Sequence, residues 1–166
     1  MKISGKIIVM LTSLLTLSAI ATSQDRNPSL NQAELLKKFE GSWICEIGKD
    51  TTAVWDMIPY GKGFDARLKY VTQGRIVKEG KGLYGYDKTL DKIVEAGITK
   101  GQDIGAYVMW FISENKWVLI PYNDLVNPGN STFKMEGEFK STDILVEVDY
   151  TNNKAVKTKI WSKAKQ

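Results

Sequence analysis

The sequence has no histidine, one cysteine (Cys45) and arginine at only three positions, Arg26, Arg67 and Arg75. Without histidine there is no Ser-His-Asp or Cys-His catalysis, no His-ligated haem and no His-containing zinc site. One cysteine excludes an internal disulfide and a four-thiolate metal cage. Scarce arginine and a net charge of only +4 argue against a nucleic-acid surface, which favours clustered guanidinium forks. No glycine-rich loop leads into a helix, so there is no phosphate cradle. Neither a metal nor an organic cofactor is expected.

Lys2 and Lys6 precede a run from Ile7 to Ala21 that is almost wholly apolar. Its length, about 15 residues, falls short of the ~20 that span a bilayer. Ala19, Ala21 and Ser23 supply small residues for cleavage. Residues 1–23 therefore read as a cleaved signal peptide, and 24–166 as one mature domain. Export to the periplasm or the exterior is expected, with no membrane anchor after cleavage. Cys45 lies downstream of the cleavage point, so it reads as a small buried core residue and not as a lipid-attachment site.

Asn31 with Glu34 fits a helix-capping pair. Leu35, Leu36 and Phe39 share a face, and Gly41 ends the segment, giving one short helix near Gln32–Glu40. Everything after Gly41 reads as short β runs separated by Gly, Pro, Asn and Asp turns. Trp43, Cys45 and Ile47 alternate with polar partners. So do Phe64, Ala66, Leu68 and Tyr70. The stretch Ile104–Ser113 is apolar on both faces, as under a covering element. Val156, Thr158 and Ile160 share one face of the last run. The expectation is an all-β fold: an antiparallel up-and-down barrel of about 8–10 strands behind one helix. A two-sheet sandwich is the alternative.

Leu35-x-x-x-Phe39-x-Gly41-x-Trp43 resembles the Gly-x-Trp opening of the calycin superfamily, which includes lipocalins and fatty-acid-binding proteins. Gly82-Leu83-Tyr84-Gly85-Tyr86-Asp87 is similar to the Gly-Tyr-Asp segment of bacterial lipocalin-like domains. The resemblance implies a barrel closed at one end by Trp43 beside Gly41. It also implies a last-strand cation lying over that tryptophan, and with no arginine after Arg75, Lys157 or Lys159 is expected to take that place. The haem chemistry of some relatives is not implied, since it needs histidine.

Strand aromatics are the candidate cavity-lining residues: Trp55, Tyr70, Trp110, Phe133 and Tyr150. The expected function is binding of a small hydrophobic or amphipathic molecule inside the barrel. Two alternatives stand beside it. One is an isomerase or hydrolase on the same barrel using carboxylate and tyrosine groups. The other is an interaction module with a filled core and exposed aromatics such as Trp117 and Trp161. Strict alternation puts Asp56, Glu95, Asp65, Glu136, Glu138, Glu147 and Asp149 on solvent faces, so no catalytic residue is assigned.

Overall fold

The computed structural model describes residues 30–165. The segment read as a signal peptide, 1–23, lies outside the described residues. The chain begins with helix α1 (Gln32–Leu36), which tightens into a 3₁₀ turn over Lys37–Phe39. The Asn31 side chain accepts from the Glu34 amide at 3.1 Å, capping one of the helix's free donors. The Glu34 carboxylate turns instead to Lys37, 2.7 Å away.

Ten strands follow: β1 (Gly41–Gly48), β2 (Thr51–Tyr60), β3 (Gly63–Thr72), β4 (Arg75–Asp87), β5 (Lys92–Thr99), β6 (Ile104–Phe111), β7 (Lys116–Pro121), β8 (Phe133–Phe139), β9 (Ile144–Thr151) and β10 (Lys154–Lys163). Each pairs antiparallel with its sequence neighbours, and β1 pairs with β10 through Trp43–Lys163 and Ile44–Ser162. The result is a closed up-and-down barrel, which removes every sheet edge.

Helix α1 sits at one end of this barrel. The Gln32 side chain is buried and docks on the β6 backbone. Its Nε2 donates to the Phe111 carbonyl at 3.1 Å, and the Phe111 amide donates to its Oε1 at 2.7 Å. Lys38 reaches the β6–β7 turn, donating to the Glu114 carbonyl at 2.6 Å. These bonds hold Phe39 in the barrel end. Its ring packs edge-on against Trp55, Trp117 and Phe139, with centroids 5.0–5.7 Å apart.

Trp43 is fully buried beside this plug and donates from its indole N–H to the Phe39 carbonyl at 2.7 Å. Lys163 lies over its ring, 5.3 Å from the centroid. The expectation of Lys157 or Lys159 in that role is corrected: the residue register-paired with Trp43 is Lys163. Gly41 makes room for it. A Cβ at Gly41 would stand 2.8 Å from Lys163 Cε, and its φ of +113° suits only glycine.

Val108 and Ile120 pair across β6 and β7 on the outer face, yet both are buried. The turn at Tyr122–Asp124 contacts β6.

Trp117 on β7 is paired with Gly137 on β8. The indole lies flat where a side chain at 137 would be: a Cβ there would fall 2.1 Å from Trp117 Cε2. The bare glycine backbone is thus covered by the cross-strand ring. Gly137→Ala is expected to force this ring aside and destabilise the barrel by about 1–3 kcal/mol in urea unfolding. A second change, Trp117→Val, should remove the conflict. A Gly137→Ala variant as stable as the parent would disprove this packing.

Candidate functional site

The barrel is not filled. A cavity of about 310 Å³ runs from Phe39 at the helix-plugged end to Thr99, Gln102 and Asp103 at the β5–β6 loop. Gln102 and Asp103 are exposed, so the cavity opens at the end opposite the helix.

Glycines create this space. Gly82, Gly97 and Gly105 stand in register across β4, β5 and β6 and all line the cavity. Together they supply a wall of bare backbone. Tyr107 leans over Gly105, its ring 2.8 Å from where a Cβ would be. The Glu95 carboxylate rests over the other two, its Oε1 3.7–3.8 Å from the Cβ positions of Gly97 and Gly82.

Of the aromatic candidates, Trp55, Tyr70 and Phe133 are on the cavity wall, together with Tyr84, Tyr107, Trp117 and Trp161. Trp110 and Tyr150 are not. Each lies on the outer face under a lysine: Lys92 is 4.4 Å from the Trp110 centroid and Lys134 is 4.6 Å from that of Tyr150. Trp117 and Trp161 are 2% and 4% exposed, so they form no surface patch. With the interior hollow, the filled-core interaction module is not supported. An exposed apolar stripe does exist outside, at Leu83, Ile98 and Ile104, but it contains no tryptophan.

The larger correction concerns charge. Glu95, Glu147 and Asp149 do not face solvent. The β9 parity is Leu145, Glu147 and Asp149 inward, with Leu145 and Glu147 buried. On β10, Lys159 and Trp161 point inward, while Val156 and Ile160 are exposed. Lys159 Nζ is bound directly by Glu147 and lies 3.0 Å from Asp149 Oδ2. Burial works against the Lys159 ammonium, but the two carboxylates outweigh it and raise its pKa. Burial likewise pushes the Glu147 carboxyl up, with Lys159 opposing. Asp56 and Arg67 do lie on the outer face. Asp56 accepts from Ser42 Oγ at 2.5 Å, and Arg67 pairs with Asp65 at 3.0 Å.

Glu95 is flanked in register by Tyr84 on β4 and Tyr107 on β6. Its pKa is raised to about 7, first by removal from water and further by the Glu147 charge, with the Tyr84 hydroxyl in opposition. The accessible surface it retains is cavity wall, so it is surrounded by protein yet open to an occupant. Tyr84 is pushed well above the usual phenol range, first by burial and then by Glu95. Cys45 is buried, and burial raises its thiol pKa, as suits an inert core residue.

Among the described residues, two buried side-chain donors have no hydrogen-bond partner: the indole N–H groups of Trp117 and Trp161. The first lies against Gly137. The second stands on the cavity wall near Glu147, close enough to help hold that carboxyl down, without a hydrogen-bond geometry. Orphaned buried donors are uncommon and call for a reason.

Sequence alternation missed this polar interior because it assigned charged residues outward. The signal that could have found it is Glu147-x-Asp149 facing Lys159 across the β9–β10 hairpin turn at Asn152–Asn153. Among the described residues no group of three His, Cys, Asp or Glu is placed to hold a metal. No protein-family model matches this chain and no curated protein matches it.

Proposed function

We propose that this is an exported, lipocalin-like protein that binds a small amphipathic molecule inside its barrel. The observation that carries the reading is the cavity of about 310 Å³, lined by aromatic rings and open at the β5–β6 loop. Concave, largely apolar spaces of this order hold small ligands through apolar burial, with a few polar groups fixing orientation. The glycine wall supports it, since three adjacent strands leave out side chains at the same level.

The test uses N-phenyl-1-naphthylamine, an uncharged fluorescent probe. It should saturate at one molecule per barrel and quench the lining tryptophans. Gly82→Leu is the matched variant. A Cβ at Gly82 meets only ordinary contacts, the nearest being the Ala96 carbonyl at 3.4 Å. The added side chain should occupy the cavity, weakening the probe by about tenfold or more while the melting temperature holds. Absence of saturable uptake, or equal uptake by Gly82→Leu, would refute the reading.

A second reading, an isomerase or hydrolase, is favoured by one observation: a carboxyl and a phenol, Glu95 and Tyr84, are register-paired and both line the cavity. Such a pair fits general acid–base work. Chemical change in a compound recovered from the barrel would favour it over simple binding.

A further inference from the structure

We propose that the molecule held in the barrel is an organic ammonium, a small amine on an apolar body, with its cationic head against Glu95 between Tyr84 and Tyr107. This rests on the binding reading above and names the ligand class for the same cavity. Three observations lead to it.

The first is a count of charge inside the cavity region. Glu95, Glu147 and Asp149 face inward there, and Lys159 is the enclosed cation that answers them; Lys81 and Asp103 also border the cavity, but both are exposed to solvent. Lys159 is already committed to Glu147 and Asp149. Lys157, register-paired with Asp149, stands exposed nearer the rim. Among the described residues, Glu95 is therefore the inward-facing carboxylate that no ion pair answers. Its electrostatic neighbours are the Tyr84 hydroxyl and the Glu147 carboxylate. A buried carboxylate that no internal cation answers is a costly arrangement. An arriving ammonium relieves that cost, whereas a carboxylate ligand adds to it.

The second is the surrounding surface. Glu95 has an aromatic ring in register on each neighbouring strand. Trp55 continues the wall, with its ring centroid 6.3 Å from that of Tyr84 and 5.8 Å from that of Trp161. Ring faces are electron-rich, and together with one carboxylate they suit a desolvated ammonium.

The third is access. The Glu95 carboxylate rests on the bare backbone of Gly82 and Gly97 and opens onto the cavity.

The experiment compares three chain-matched compounds, octylamine, octanoate and octanol, near pH 8. Each is titrated against N-phenyl-1-naphthylamine in the barrel and, separately, by calorimetry. Octylamine is expected to bind at least about tenfold more tightly than the other two, as a charge-assisted hydrogen bond inside a cavity implies. In Glu95→Gln that preference should disappear, with octylamine binding no more tightly than octanol. If octanol or octanoate matches or exceeds octylamine, the ammonium assignment is wrong and the binding reading survives. An octylamine preference that persists in Glu95→Gln also overturns it, since the cation then sits elsewhere. If neither the naphthylamine nor any of the three compounds is taken up, the binding reading falls, and this proposal with it.

Discussion

Lys159→Met is expected to destabilise the barrel by about 3–5 kcal/mol in urea unfolding, near the upper end for a single substitution. The reason is what the change leaves behind. Glu147 is 4% exposed and is bound by the Lys159 ammonium, and Asp149 stands 3.0 Å from the same nitrogen. Methionine matches the lysine stem in volume, so packing changes little. Two inward carboxylates, however, lose their cation. Burial alone already raises the Glu147 pKa, and Lys159 is its principal opposition. Without it, Glu147 must take up a proton or remain buried and uncompensated. The cost should therefore shrink as pH falls, because protonation removes the unpaired charge. A triple variant, Lys159→Met with Glu147→Met and Asp149→Asn, should recover most of the loss. Replacing a whole buried ionic cluster by apolar or neutral groups is often close to neutral. A single variant losing less than about 1 kcal/mol would show the pair to be solvated. A triple variant costing the sum of its parts would show that the three groups do not act as a unit.

This cluster also marks where the sequence stops being readable. Strand positions, the hairpins and the single helix follow from period-two alternation and turn residues, and these are local properties. Which face turns inward is not local. On β3, Phe64 and Ala66 are buried while Arg67 is exposed, so the alternation and the barrel agree. On β10 they disagree, with Val156 and Ile160 exposed and Lys159 enclosed. The usual rule that polar residues face water assumes an apolar interior. A barrel that keeps a cavity can place ionic groups within it, provided they pair. On β6 both faces are apolar, and Val108 is buried although it lies on the outer face. No parity signal remained there, and Trp110 went to the wrong side. The glycine wall was hidden for a different reason. Gly82, Gly97 and Gly105 are far apart in the chain, and only the register of three strands brings them level. The Lys163–Trp43 contact likewise depends on how β10 closes on β1.

Glu95 should make the protein most stable on the acid side of neutrality. Its pKa is about 7 in the folded barrel, raised chiefly by burial, against about 4.3 in an unfolded chain. Between these values the folded state holds a proton that the unfolded state has released. Stability therefore falls as pH rises through this window and levels off above it. The loss integrates to on the order of 3 kcal/mol, a shift of about 10 °C in melting temperature for a domain of this size. The groups facing Glu95 do not reverse the sign. Tyr84, on β4, titrates well above the window. Glu147, on β9, is itself raised and adds to the same trend. Lys159, on β10, has its pKa raised and stays charged throughout. Glu138 is lowered by Lys140 and opposes the trend, but it lies on the surface, where solvent screens it. Glu95→Gln keeps the shape and removes the ionisation. Its melting temperature should exceed the parent's near pH 8 and approach it near pH 5, leaving a flatter profile. Identical slopes for the two proteins over that range would mean Glu95 is solvated in the fold. An ammonium ligand would act on the same proton: by pairing with ionised Glu95 it should raise the parent's melting temperature most near pH 8, where the unliganded barrel is weakest.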